Sequence, residues 1–385
     1  AMRHGLSDNR RDTMPKPFTI AIPEAEIADL KARLAATRFP RTLEGVGWDY
    51  GTEDGFLRRF VAYWGNHYDW RAAEARLNSF AHFIEEIDGE TVHFVHMRGR
   101  GQTNVPILLT NGWPSNFVEL LPLVPLLTAP VDGLAFDVVI PSLPGFGFSG
   151  QPTRPGMNLS AVAPLWAELM TRLGYEKFLM SGSDMGGGTE MALVRDFPQR
   201  LIGAHYVNVY SGFARPDEPT AEEAAYFGKV DYWTFAESAY AMIQGTKPAT
   251  LAVGLNDSPA GLAAWILEKY RSWSDDGGDI ANAFEFDDLA TILSVYWFTQ
   301  TIGSSVRLYK EAFADRDLIQ KAPEHDVPHA VLLPPADNPA PRAWGERHLR
   351  NIVRWTALDQ GGHFPALEVP EAMAHDIRAF HGQIS

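Results

Sequence analysis

Phe178-Leu179-Met180-Ser181-Gly182-Ser183-Asp184-Met185-Gly186-Gly187-Gly188 joins an apolar, strand-like run to a segment of helical character. Within it, Gly182-x-Asp184-x-Gly186 has the spacing of a nucleophile elbow. In that turn, glycines two residues to either side let a sharp strand-to-helix bend push one side chain into a pocket. Serine is the usual central residue, but Ser183 has Ser181 and Met185 at those positions, and only Asp184 fits. A carboxylate at an elbow implies attack on an sp3 carbon to give an alkyl ester, not acyl transfer through serine. Taken alone, the stretch also reads as a Gly-rich turn with an Asp helix cap.

Outward from this stretch the chain alternates strand and helix. Residues 90–98 alternate as a strand should. Apolar runs at 105–110, 136–141, 177–182 and 202–209 are separated by helix-like segments such as 160–173. That rhythm predicts an α/β fold, a mostly parallel sheet flanked by helices on both faces. It breaks over 212–318, which reads as helical, and resumes with strands at 328–333 and 352–357 and a helix from 370. The expected organisation is therefore an N-terminal helical arm over 1–88, a first half of the core over 89–211, a helical cap over 212–318 and a second half over 319–385. Within the arm, Ile27, Leu30 and Leu34 have helical spacing, ended by Pro40, and an aromatic-rich stretch follows from Trp48 to Trp70. Residues 1–16 are polar, and Ala1 before Met2 reads as a cloning remnant.

Composition narrows the function. The 385 residues carry a formal charge of −15, which disfavours nucleic acid or an anionic membrane as partner. The absence of cysteine excludes disulfides, thiolate metal sites and a cysteine nucleophile. No apolar stretch spans a bilayer, and Arg3, Arg10 and Arg11 precede polar residues, not a signal core, so a soluble cytoplasmic protein is expected. No metal is expected either, since His325-x-x-x-His329 straddles Pro328 at a strand start and lacks the helix that would align both rings. No cofactor is expected, because Gly145 and Gly147 lack dinucleotide-loop spacing.

In open α/β sheets chemistry gathers at the carboxyl ends of the strands. Thr110-Asn111-Gly112-Trp113-Pro114 follows one such strand, and the N–H groups of Trp113 and Met185 suit an oxyanion hole. An ordinary Gly/Pro turn is the alternative. His363, behind Gly361-Gly362 after the last strand, suits a general base. Asp337 follows Val331-Leu332-Leu333 and suits the acid that orients it, against the alternative of an Asp-Asn-Pro turn. Glu324 and Asp326 precede that strand, and Asp359 lies too near His363 in sequence.

With these residues in hand, the chain resembles the α/β-hydrolase-fold epoxide hydrolases, in the microsomal-type branch with an extra N-terminal arm. The resemblance runs from about residue 17 to the end. It rests on the Asp184 elbow, Leu143-Pro-Gly-Phe-Gly-Phe-Ser149, Gly254-Leu-Asn-Asp-Ser-Pro259, Ile266-Leu-Glu-Lys269 and Gly361-Gly-His-Phe364. It implies an enzyme converting an epoxide and water to a vicinal diol without a cofactor. It also implies that Tyr240 and Tyr309 are the cap tyrosines that bind the epoxide oxygen, an assignment not available from the sequence pattern alone. Asn111, Pro114 and Phe364 are expected to line the substrate pocket. Two departures stand out: family members usually carry His at the Asn111 position, and Trp is frequent at the Met185 position. Both are expected to shift substrate preference and leave the backbone donors in place.

The aromatic-rich cap points to a bulky apolar or aryl epoxide. Abundant Ala, Gly, Arg and Pro suggest a GC-rich bacterial genome, where detoxification and natural-product biosynthesis are both open roles, with the second preferred. A haloalkane dehalogenase is the nearest rival, but those enzymes often use a Trp after the nucleophile as halide donor. A catalytically silent binder on the same fold is a second alternative, supported by the missing His at Asn111. Dimerisation through the arm or cap is left open.

Overall fold

The computed structural model describes residues 15–316, 318 and 325–385; the polar stretch at residues 1–14 and Glu324 lie outside them. Among the described residues the strands are β1 (Lys16–Phe18), β2 (His82–Ile87), β3 (Glu90–Met97), β4 (Thr103–Thr110), β5 (Leu134–Pro141), β6 (Phe178–Gly182), β7 (Leu201–Val207), β8 (His329–Leu333) and β9 (Ile352–Ala357). They form one nine-stranded sheet ordered β1-β2-β3-β5-β4-β6-β7-β8-β9. From β5 to β9 neighbours pair in parallel, while β1, β2 and β3 extend that edge antiparallel.

The parallel strands are continuous apolar runs because helices cover both faces. In β4, Ile107, Leu108 and Leu109 are all fully buried, as are Val138, Val139 and Ile140 in β5. Helices α4 (Leu123–Thr128), α5 (Leu159–Arg172) and α6 (Met185–Asp196) belong to the first half of this core. In register, Thr110 pairs with Gly182 and Gly182 with Tyr206, so β4, β6 and β7 end side by side. That alignment brings the loops after these strands to one place.

Helices α1 (Glu24–Ala35), α2 (Asp54–Asn66) and α3 (Trp70–Leu77) precede β2. Phe56, Phe60 and Trp64 of α2 are buried, at roughly 1.5–3 kcal/mol each for aromatic burial. Between β7 and β8 lie α7 (Ala221–Glu237), α8 (Ala239–Thr246), α9 (Pro248–Asp257), α10 (Pro259–Ser272), α11 (Phe286–Thr299) and α12 (Ile302–Ala314). The N-terminal helices fasten to this insertion: Trp64 Nε1 donates to Ser294 Oγ at 2.9 Å and Thr52 Oγ1 to the Ala264 carbonyl at 2.6 Å. After β8 come α13 (Arg342–His348), then β9, α14 (Pro365–Glu368) and α15 (Pro370–Ile384).

The reading of 1–88 as a helical arm needs one correction. Lys16–Phe18 and His82–Ile87 lie in the sheet, pairing with each other and, through β2, with β3. Strands this short, one of them carrying Glu85 and Glu86, have too little alternation to be recognised from pattern.

Candidate active site

Asp184 stands at the junction of β6 and α6 with φ 52° and ψ −123°, a strained backbone for a residue with a side chain. The turn is possible because its flanks are glycines. A Cβ on Gly182 would lie 2.7 Å from the backbone of Gly186, and one on Gly186 would overlap the Thr110 carbonyl. Met185 is the first residue of α6, where backbone N–H groups have no intrahelical acceptor.

The loop after β4 meets the elbow. Trp113 N–H donates to Asp184 Oδ1 at 3.0 Å. On the other side, His363 Nε2 lies 3.6 Å from Asp184 Oδ2, and its Nδ1 is 2.8 Å from Asp337 Oδ1. The three predicted triad residues therefore adjoin, drawn from the loops after β6, β8 and β9. The His363 loop is tied down by its own N–H, which donates to the Trp273 carbonyl at 2.8 Å. Burial disfavours charge on His363, but Asp337 and Asp184 outweigh it and hold the imidazolium well above the usual histidine range.

Tyr240 on α8 and Tyr309 on α12 approach from the helical insertion, with ring centroids 5.8 Å apart. The Trp113 indole stacks on Tyr240 at 5.4 Å and meets Tyr309 edge-on at 5.8 Å, joining the two sides of the site. The Tyr309 hydroxyl has no partner at hydrogen-bond geometry among the described residues. Burial, with Asp184 nearby, raises both phenols above their ordinary range, so both are protonated at neutral pH.

A cavity of about 440 Å³ opens against these groups. Asp184, Met185, Tyr240, Tyr309, Asp337 and His363 line it together with apolar side chains such as Met191, Trp233 and Phe313. A smaller pocket behind Asp184 is bounded by Trp113, Glu119, His363 and Phe364. Two predicted pocket residues are corrected here: Asn111 and Pro114 line neither space. Asn111 turns its side chain back to the Gly112 carbonyl (2.9 Å), and the Trp113 indole, not Pro114, meets the insertion. Phe364 borders only the smaller pocket and stacks on Tyr270 at 4.2 Å.

Three residues escaped the sequence reading. Asn208, at φ 64° just after β7, donates from Nδ2 to the Asp337 carbonyl at 2.6 Å, and its Oδ1 accepts from the N–H of Ala340 at 3.1 Å. It thus braces the turn carrying the acid. Glu119 is 2% exposed, and burial pushes its carboxyl up to about 7, with Asp184 adding to the rise. The signal was available: Glu119 is the one charged residue between Phe117 and Leu127. Trp273 packs its ring 5.0 Å from that of His363. Among the described residues no cluster of His, Cys, Asp and Glu could hold a metal ion, and no helix is long and apolar enough to cross a membrane.

The fold and the elbow define the class, an α/β hydrolase. Residues 105–356 match the alpha/beta hydrolase fold family, and residues 15–120 match the family described as epoxide hydrolase N terminus. Epoxide hydrolase 1 of Sus scrofa is 34% identical over 409 residues, covering 96% of this chain and 89% of the pig protein. The crystal structure of juvenile hormone epoxide hydrolase from the silkworm Bombyx mori superposes with a TM-score of 0.85 at 33% identity, over 97% of this chain and 95% of that one. Aspergillus niger epoxide hydrolase gives 0.86 at 31% identity, over 97% of each chain. The chain belongs to the epoxide hydrolase family, enzymes that open epoxides with water.

Proposed function

We propose that this enzyme converts a bulky, apolar or aryl epoxide to a vicinal diol through an alkyl ester on Asp184. The observation that carries the reading is the placement of Asp184 between Trp113 N–H and His363 on one side and two protonated tyrosines on the other. Tyr240 and Tyr309 hold the epoxide oxygen. One Asp184 oxygen attacks a ring carbon, the carbon–oxygen bond breaks, and its electron pair stays on the former epoxide oxygen. A tyrosine proton neutralises that alkoxide, and solvent later returns a proton to the phenolate.

Ester formation also readies the base. While Asp184 is anionic, it and Asp337 keep a proton on His363. Esterification removes one of those charges, so the imidazolium loses its proton more readily. Neutral His363, oriented by Asp337, then deprotonates a water that attacks the ester carbonyl carbon. The N–H groups of Trp113 and Met185 stabilise the tetrahedral oxyanion. Collapse expels the diol alkoxide, which takes the proton from His363; the carboxylic acid left on Asp184 then gives its proton back to His363, restoring the starting carboxylate and imidazolium.

The cavity's size and apolar lining support a bulky substrate, and with it a role in natural-product biosynthesis over clearance of small reactive epoxides. Met185, on the cavity wall where relatives often carry Trp, leaves room beside the nucleophile. The reading is tested with His363→Gln and styrene oxide. The expected result is a stable mass increase of one substrate on the peptide containing Asp184; an unmodified peptide after exposure that turns over with wild-type enzyme would refute it.

A further inference from the structure

Lys269 is a buried cation beside Tyr240 that no step above uses. It lies in the last turn of α10 and is 6% exposed. Its ammonium sits 4.8 Å from the centroid of the Tyr240 ring and 5.8 Å from that of Trp273. The faces of aromatic rings carry negative potential, so a cation there is attracted and the ring orientation is held. Its ion-pair partner, Glu268, lies 2.5 Å away with its side chain 20% exposed, and the Ser272 hydroxyl donates to the other oxygen of that carboxylate at 2.9 Å. Glu237, on α7, also acts on the ammonium electrostatically. The stem alone would need no charge to pack here, and burying one is costly.

We propose that Lys269 is a positioning residue for ring opening, holding the Tyr240 ring by its face and strengthening the Tyr240 hydroxyl as donor to the epoxide oxygen. This rests on the role given to Tyr240 above. A bound epoxide is neutral, whereas its oxygen gains negative charge as the ring opens. An ammonium over the face of the donor ring therefore attracts the transition state more than the bound substrate, which is the condition for raising rate. A cation on the ring also withdraws electron density from the phenol and polarises its O–H bond. Glu268 offsets part of this field. In the second step charge develops at the Asp184 carbonyl instead, against the N–H groups of Trp113 and Met185, so Lys269 acts on the first step selectively.

The test is single-turnover kinetics with excess enzyme and styrene oxide, following ester on the Asp184 peptide and diol separately. Lys269→Met keeps the stem and removes the charge; it is expected to slow ester formation ~10- to 30-fold while ester hydrolysis stays within about twofold. Lys269→Arg keeps a cation and is expected to recover ester formation to within about threefold of wild type. Equal slowing of both steps, no slowing, or an Arg variant as slow as Met overturns the proposal. If Lys269→Met does not fold, Glu268→Gln serves, since it removes the neutralising carboxylate and keeps the acceptor for Ser272. Ester formation about threefold faster supports the proposal, and unchanged or slower formation overturns it. Absence of ester in the wild-type enzyme would instead overturn the Asp184 mechanism itself, a separate failure seen in the control.

Discussion

The two sides of the site are built differently. On the sheet side every group proposed to react is already engaged: Asp184 accepts from Trp113 N–H, His363 is held by Asp337 and by the Trp273 carbonyl, and Asp337 is braced by Asn208. On the helical side Tyr240 and Tyr309 are fixed by ring packing, and the Tyr309 hydroxyl, beside that of Tyr240, makes no hydrogen bond of good geometry among the described residues. In the proposed reading, an arriving epoxide oxygen becomes the acceptor for that hydroxyl. The lesson is that the sheet side is complete before substrate binds, while the helical side is completed by the substrate.

That contrast orders the expected effects of mutation. Asp184→Asn removes the nucleophile and is expected to lower kcat by at least ~10⁴-fold with no ester formed; residual activity near wild type would break the sheet-side account. Tyr240→Phe and Tyr309→Phe are each expected to slow ester formation by ~10²-fold and leave hydrolysis of a preformed ester unchanged, a split that rapid-quench kinetics reads directly. If either change slows hydrolysis as much, the helical side is not confined to ring opening. Asn208→Ala loosens Asp337 and through it His363, so ester hydrolysis should fall ~10-fold and ester should accumulate, with ester formation near normal.

The smallest effect concerns the link between the sides. Arg347 of α13 holds Glu223 of α7 in a two-point ion pair and keeps its carboxyl down at about 2, although burial works the other way. A depressed folded-state value contributes stability that is present above the unfolded value near 4.5 and is lost as pH falls towards about 2. Glu223→Gln should therefore lower the unfolding temperature by a few degrees (about 2–4 °C per kcal/mol) at neutral pH, and the gap should narrow as pH falls below 4.5 and close only below about 2. Thermal scans at the two pH values check this; a gap of equal size at both would show that charge is not the link.

The sheet side was also the more legible in sequence, for steric and positional reasons. The backbone of this elbow admits only glycine two residues to either side of Asp184, so the chain carries the pattern openly. Apolar runs mark the parallel strands, and the ends of those strands locate His363 and Asp337. Tyr240 and Tyr309 have no such marker, since they sit on separate helices among other aromatics, and the family resemblance pointed them out. Asn208 and Glu119 act through contacts that only folding creates, although a lone acid in an apolar run is a usable hint. Asn111 misled because a residue of a loop that meets the elbow can still turn its side chain back into that loop. The strands β1 and β2 were missed because strands of this length carry little pattern.

The central claim is the covalent route through Asp184. A single limiting turnover of styrene oxide by excess enzyme in oxygen-18 water, followed by the mass of the peptide containing residue 184, tests it most directly. Diol formed with label in the Asp184 carboxylate is the expected result, because water attacks the ester carbonyl carbon. Diol formed with Asp184 unlabelled would mean that water attacks the epoxide itself, and would contradict the account.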